Sequence, residues 1–346
     1  MMNPTKSKEV FNNYNAKPVL PVSAELNESL IDLTIPHHCI GLRLDQALAK
    51  LLPNWSRSRL RTWIIENQVR VNGQVTSPKQ KMWGDEKIQI SPQLFTVETT
   101  HAAEAINLDI IYEDDQLIVV NKSVGMVVHP GNGNWQGTML NALLHHAPQL
   151  ENVPRAGIVH RLDKNTSGLL VVAKTLEAQT SLVRQLQQHT VKRDYTALVL
   201  GEVEQSGSMD APIGRHPTQR TKMTVTTKGK PARTHYQVIE HFEGCTLLRC
   251  SLETGRTHQI RVHMNKIGHS LVGDPVYGGK PKKTKQEIGQ LLINFPRQAL
   301  HAQKLALTHP QTEQIIKWEV VLPGDMSNLL HLIRQYSRKD VQILPQ

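Results

Sequence analysis

Aromatic residues make up only 4% of this 346-residue chain, so a ring standing among polar neighbours asks for a reason. Cysteine is scarcer still. Cys39, Cys245 and Cys250 form neither a Cys-x-x-Cys pair nor an even set, which argues against a disulfide framework and fits a reducing compartment. Apolar runs such as Gly168 to Ala173 fall far short of the roughly 20 residues that cross a bilayer, and Met1 to Val10 is too polar for a signal peptide. The expectation is a soluble, cytoplasmic protein with no membrane partner. Nor is there a Gly-x-Gly-x-x-Gly turn after a strand pattern, a Walker loop, a His-Glu-x-x-His helix or a Cys/His zinc spacing. Neither a nucleotide cofactor nor a metal site is expected. Gly131, Gly133 and Gly137 read as a plain loop because no Lys-Ser/Thr follows them.

Positive charge is what the chain has in excess. Lys and Arg number 40 against 30 Asp and Glu, a formal net charge of +10, the field of a protein that meets a polyanion. Hydrophobic residues at 39% and charged ones at 20% are globular proportions, and the length suits two domains of unequal size.

Residues 1–38 mix Asn, Lys, Pro and Glu without periodicity and read as a flexible leader. Residues 39–91 form a compact pattern. Leu44, Leu48, Leu51 and Leu52 recur at helical spacing, and Ser56 or Ser58 can cap a second helix bearing Leu60, Trp63, Ile64 and Ile65. Val69, Val71 and Val75 then alternate around the turn-forming Asn72-Gly73. Residues 92–106 read as a linker, 107–337 as a larger domain and 338–346 as a tail. In the larger domain, strand patterns fall at 108–112, 117–120, 168–172, 195–200, 236–241 and 246–252, and helical ones at 139–146 and 178–188. Strands and helices do not alternate regularly, which predicts an α+β fold on a mixed, mostly antiparallel sheet.

Between Gly41 and Pro92 the cations Arg43, Lys50, Arg57, Arg59, Arg61, Arg70, Lys79, Lys81 and Lys87 outnumber Asp45, Glu66, Asp85 and Glu86. Arg57, Arg59 and Arg61 open the second helix, where backbone N–H groups and guanidinium forks both favour phosphate, although a charge run on a helix is commonly just a solvated face. The order Arg43-Leu44-Asp45, Ser56-Arg57-Ser58-Arg59, Val69-Arg70-Val71-Asn72-Gly73 resembles the S4-like RNA-binding module. That implies RNA contacts from Arg43, Arg57, Arg59, Arg61, Arg70 and Lys79.

The densest polar cluster runs from Gly157 to Gly168, with Asp163 between Arg161 and Lys164 in a loop flanked by apolar, strand-like stretches. An ionised Asp beside cations is a candidate nucleophile or base, but on spacing alone an Asp that caps the turn with Thr166 and Ser167 is the commoner outcome. A second cluster, Glu253 to Met264, puts Thr257 where it can cap a helix whose Ile260, Met264 and Ile267 form an apolar stripe beside Arg261. Arg261 could reach a buried carboxylate or make an ordinary boundary salt bridge. In Lys192-Arg193-Asp194-Tyr195, Tyr195 enters a strand either as a core aromatic or as a ring that stacks a base.

Together with Asn121-Lys122, Val128-His129-Pro130, Val272 to Gly278 and Arg297 to Ala302, these clusters resemble the pseudouridine synthases that carry the His-Arg-Leu-Asp signature, here His160 to Asp163. The similarity covers nearly everything after residue 40. It implies that Asp163 is the essential aspartate, Arg261 its ion-pair partner, Tyr195 the ring packed on the target base, and Arg161 a side chain that helps displace it. Arg256 is implied as a further RNA contact. Within the family the chain most resembles members acting on 23S ribosomal RNA, which implies several uridines of one stem-loop at the subunit interface, in naked RNA or an assembling large subunit, and no cofactor. Ser123 and Ser270 stand where relatives usually carry proline.

Turning uridine into pseudouridine breaks the N1–C1′ bond, turns the freed uracil and rejoins it through C5, with no redox change and no group donor. One carboxylate could attack C1′, add to uracil C6 or abstract a sugar proton. Two other classes compete. A non-catalytic rRNA-binding assembly factor would have no reason to keep Asp163, Tyr195 and Arg261 together. Among hydrolases, many glycosidases need a second carboxylate, and nucleases commonly enlist a histidine, here His160 or His258.

Overall fold

The computed structural model describes residues 30–53, 55, 57–91, 101–131, 134–219, 221–282 and 284–338. Most of the expected leader, residues 92–100 of the expected linker, Ser56, Gly133 and all but Arg338 of the expected tail lie outside the described residues. The described residues divide into two compact units, one of residues 30–44 and 62–91, the other of those within 45–61 and from 101 onward.

The N-terminal elements are β1 (Ile31–Thr34), α1 (Leu44–Leu51), α2 (Arg57–Ile65), β2 (Val69–Val71), β3 (Gln74–Val75) and β4 (Lys87–Ile90). The strands pair antiparallel in the order β1-β4-β2-β3. Asn72 and Gly73 make the β2–β3 turn at φ 49° and 79°, the conformation the dipeptide predicts. Leu44, Leu48, Leu60, Trp63 and Ile64 are buried, as their periodicity requires, whereas Ile65 is exposed. β1 corrects the expected leader, because Ile31 and Leu33 pair with Ile90 and Ile88 and the sheet takes in residues that read as leader. Four alternating residues are too short a pattern to stand out from a polar stretch without the partner strand beside them.

The larger unit continues with β5 (Ile110–Glu113), β6 (Leu117–Lys122), α3 (Met139–His146), β7 (Ser167–Ala173), α4 (Leu176–Gln187), β8 (Lys192–Leu200) and β9 (Gly207–Asp210). A small hairpin of β10 (Ile213–Arg215) and β11 (Met223–Val225) precedes β12 (Arg233–Phe242), β13 (Cys245–Leu252) and α5 (Gln259–Lys266). Last come α6 (Gln286–Asn294), β14 (Leu300–Thr308), β15 (Ile315–Glu319) and α7 (Gly324–Arg338). The main sheet runs β5-β6-β7-β14-β8-β13-β12-β9, with β15 added to β14. Its pairs are antiparallel except β14 against β7.

This sheet carries a core on each face. Every residue of β7 is buried, which explains its unbroken apolar run. Leu170 and Val172 join Ile158, Leu162, Tyr195 and Ile260 on one side, while Leu169 and Val171 join Ala178 and Leu182 of α4 on the other. The described part of the expected linker is tied down: Glu104 N–H bonds Asn141 O at 3.0 Å, and Asn141 Nδ2 donates to Ala102 O at 2.7 Å. Among the described residues no helix is long and apolar enough to cross a membrane.

Candidate active site

Asp163 lies in the loop between a 3-10 turn at Pro154–Gly157 and β7. Within the loop, Thr166 N–H closes a turn on the backbone oxygen of Asp163 at 3.0 Å, so the backbone does the capping and the carboxylate remains for other partners. The loop is held from behind by the Arg297 to Ala302 segment. Gln298 Nε2 donates to Thr166 Oγ1 at 3.1 Å, Arg297 to Asn165 O at 3.2 Å, and Ser167 Oγ meets His301 Nδ1 at 2.9 Å. From the end of β6, Lys122 Nζ donates to the carbonyls of Ser123, Met126 and Lys164 at 2.8, 3.0 and 3.0 Å. Burial of this ammonium pushes its pKa down to about 7, although Asp163 favours the charge. Gly168 lets β7 approach β14: at φ 112°, a Cβ there would stand 2.2 Å from Ala302 O.

The partner of Asp163 is Arg261, on the first turn of α5. Arg261 donates from one terminal nitrogen to Asp163 Oδ2 at 3.0 Å, and its Nε and other terminal nitrogen grip Asp274 at 2.7 and 2.8 Å. Burial alone would raise the Asp274 carboxyl, but the Arg261 bonds and the N–H groups of Tyr277 and Val276 hold it below its usual value. Arg261 in turn is raised, the two carboxylates outweighing the cost of burial. Its guanidinium lies over the Tyr277 ring, 5.1 Å from the centroid.

Thr257 does not cap α5. The residue before the helix is His258, in a left-handed conformation at φ 58°, and Gln259 Oε1 takes the Arg256 N–H at 2.9 Å instead. This bend brings His258 Nε2 to 3.9 Å from Asp163 Oδ1. Burial depresses the His258 pKa, Asp163 opposing. Tyr277 Oη accepts Met223 N–H at 2.8 Å and lies 2.8 Å from His258 Nδ1. The arrangement that gives each donor an acceptor has the hydroxyl donating to Nδ1 and leaves the proton of neutral His258 on Nε2, facing Asp163.

Asp163, His258 and Arg261 line a cleft of about 1080 Å³, which Tyr195 also lines from β8. Asp163, Tyr195 and Arg261 are therefore brought together from segments 32 to 98 residues apart in sequence. Tyr195 is 6% exposed, and burial pushes its hydroxyl pKa up. Arg161 and Arg256 line the same cleft. Asp163 is the one acidic residue among the described lining residues, against Arg155, Arg161, Lys164, Arg193, Arg256 and Arg261. His160 leaves the set of candidate general acids. Its Nε2 accepts Val171 N–H at 3.2 Å, and burial pushes its pKa down to about 3, so the ring is neutral at ordinary pH.

In the N-terminal module, Arg61, Arg70 and Lys79 are exposed and Arg43 and Arg59 half-buried. Arg57, itself exposed, donates its fork to the buried Asp45 at 3.1 and 2.7 Å. Arg70 donates to Gly73 O at 3.2 Å across its own hairpin.

The sequence patterns assign no role to Asp274, Lys122 or Arg193, although each stands in a segment that the patterns single out. An acid between two glycines in Gly273-Asp274-Pro275-Val276-Tyr277-Gly278 was the available signal for a held carboxylate. Among the described residues no group of three or more His, Cys, Asp or Glu is placed to hold a metal ion.

Comparison with known proteins follows the same division of the chain. The family model for RNA pseudouridylate synthase matches residues 116–266, and that for the S4 domain residues 42–81. Ribosomal large subunit pseudouridine synthase D of Nitrosomonas europaea is 57% identical over 342 residues, 99% of each chain. The Pasteurella multocida protein of the same name is 52% identical over 299 residues, 85% of this chain and 92% of its own. Among solved structures, human RNA pseudouridylate synthase domain containing 4 shares the fold, with TM-score 0.52 and 24% identity over 65% of this chain and 92% of its own. Matched by a close relative over almost its whole length, and carrying an S4 domain ahead of its catalytic domain, the chain belongs to the RNA pseudouridylate synthase family.

Proposed function

We propose that this protein isomerises uridines of 23S ribosomal RNA to pseudouridine in the cytoplasm, several within one stem-loop at the subunit interface, on naked RNA or an assembling large subunit. The observation that carries this reading is the pairing of Asp163 with Arg261 at 3.0 Å in a cleft whose other charged walls are cationic. A polyanion can enter such a cleft, and the single acid it meets is aimed by a guanidinium. Asp163 acts as nucleophile or base while the N1–C1′ bond breaks, uracil turns, and C5 replaces N1 on the sugar. The C5 proton departs and N1 gains one, so nothing else is consumed. The target base must leave its stack to reach Asp163, at a cost of a few kcal/mol for a paired base. Stacking on the Tyr195 ring returns roughly 1–3 kcal/mol of that cost. The N-terminal module, residues 39–91, anchors phosphates through Arg43, Arg57, Arg59, Arg61, Arg70 and Lys79, and Arg161 helps displace the base.

The test is Asp163→Asn, which removes the charge with little change of shape. The variant should bind a 23S stem-loop as wild type does and form no pseudouridine. More than a tenth of wild-type turnover, a barrier change of only about 1.4 kcal/mol, would refute the assignment.

A further inference from the structure

Arg193 is the unexplained cation of the cleft. It stands on β8 two residues before Tyr195, on the same face of the strand, and is 6% exposed. One terminal nitrogen donates to Glu253 O at 3.3 Å, and its buried Nε has no acceptor among the described residues. None of the ion pairs among those residues includes it. Burial lowers its pKa from the ordinary value. A guanidinium taken out of water without a counter-ion is costly, so an arriving anion would be favoured there.

The surroundings are shaped for that anion. Gly255 lies against the guanidinium, where a Cβ would stand 2.7 Å from a terminal nitrogen, and its φ is not left-handed, so glycine is there for room. Neutral His160 is close enough to feel the Arg193 charge. Since His160 Nε2 accepts a backbone N–H, its proton sits on Nδ1, which is also buried and without an acceptor. Two unpaired donors thus lie in the wall that carries Tyr195. Asp163, the one acid lining the cleft, is already bound to Arg261 and cannot serve them.

We infer that Arg193, assisted by His160, receives a backbone phosphate of the RNA at one of the two linkages flanking the target uridine. This rests on the uridine-isomerising reading. Alternate residues on one strand face stand about 7 Å apart, close to the span from a pyrimidine ring to its own phosphate. A base seated at Tyr195 therefore brings a phosphate to Arg193. An uncharged uracil carbonyl would satisfy a donor but leave the buried charge uncompensated, which favours phosphate.

A neutral-linkage cycle tests the inference. Hairpins carrying one methylphosphonate, 5′ or 3′ to the target uridine, are compared with the all-phosphate hairpin on wild type, Arg193→Met and Arg193→Lys. Binding and turnover are both measured. Arg193→Met should bind the normal hairpin at least about tenfold more weakly, and Arg193→Lys should recover most of the loss. At one of the two positions methylphosphonate should weaken wild type by the same factor and Arg193→Met no further. Equal loss for both proteins at both positions, or no loss in either, overturns the inference. So does a lower melting temperature for Arg193→Met, because it would mark a cation that stabilises the free fold. If wild type makes no pseudouridine on the normal hairpin, the functional reading fails, while the coupling in binding still reports on Arg193.

Discussion

Arg261 divides itself unequally between two carboxylates: both prongs of its fork hold Asp274, at 2.7 and 2.8 Å, and a single nitrogen reaches Asp163, at 3.0 Å. Asp274 is in turn fixed by two backbone N–H groups. The anchored end is therefore at Asp274, and Asp163 is the end that is aimed. Its other oxygen stays on the side of His258.

Asp274→Asn should act through aim rather than affinity. With the anchor weakened, Arg261 can turn its fork onto Asp163 and occupy the oxygens needed for chemistry. Turnover should fall roughly 10- to 100-fold with KM within about twofold. Arg261→Lys should not restore a working pair, since one ammonium cannot reproduce three directed bonds. Steady-state kinetics on a short hairpin decide it, and unchanged turnover in Asp274→Asn would remove the anchoring role.

Tyr195→Phe keeps the ring and removes the hydroxyl. Binding should stay within about twofold, because stacking depends on the ring. Turnover should drop if C5 loses its proton through the hydroxyl, and a solvent isotope effect on the remaining rate should change with it. Equal rates for the two proteins would leave Tyr195 with stacking alone.

Arg57 and Arg61 sit four residues apart on α2 and should behave differently. Arg57 faces the buried carboxylate of Asp45, so Arg57→Ala should lower stability by about 1–2 kcal/mol as well as weaken RNA binding. Exposed Arg61→Ala should leave the melting temperature unchanged. If it touches phosphate, it should flatten the slope of log affinity against log salt by about 0.7–0.9. A stable Arg57→Ala protein would show that Asp45 does not depend on this pair.

Two histidines, buried His301 and half-buried His160, predict how stability depends on acid. Burial holds His160 at about 3 and His301 at about 4, below the ordinary 6.5. Between 6.5 and these values the unfolded chain takes up protons that the folded one refuses. Stability is thus fully present above about pH 6.5 and falls as pH drops toward 4. Urea midpoints measured across this range should decline, and His160→Gln should decline less steeply. A midpoint that does not move between pH 7 and 4 contradicts the burial of both rings.

Much of this was legible in the chain itself. Asp163, Tyr195 and Arg261 stand in dense polar runs between apolar strands, and the strands of β6, β7 and β13 followed from their apolar residues. What escaped depends on partners distant in sequence. Asp274 became an anchor only when α5 set Arg261 against it, and Arg193 reads as an ordinary strand-entry cation until β8 buries it beside Gly255. Thr257 had the right chemistry for a helix cap, but the backbone turns left-handed at His258, which faces Asp163, and Gln259 supplies the acceptor for the Arg256 N–H. β1 was hidden because a strand of four residues shows its alternation only against β4.

Strand β14 lies between β7 and β8 in the sheet, yet it begins 100 residues after the end of β8 and further still after β7. Residues Leu300–Ala302 pair with β8 on one side, and His301 and Ala302 with the start of β7, where the Asp163 loop ends, on the other. During synthesis the ribosome therefore delivers the signature loop and the Tyr195 strand well before the strand that joins them. Until roughly residue 302 has emerged, β7 and β8 have no strand to pair with between them, and a chain truncated before it would carry Asp163, Tyr195 and Arg261 without the strand that joins their supports. The two walls of the cleft are thus joined only through a strand supplied late in the chain.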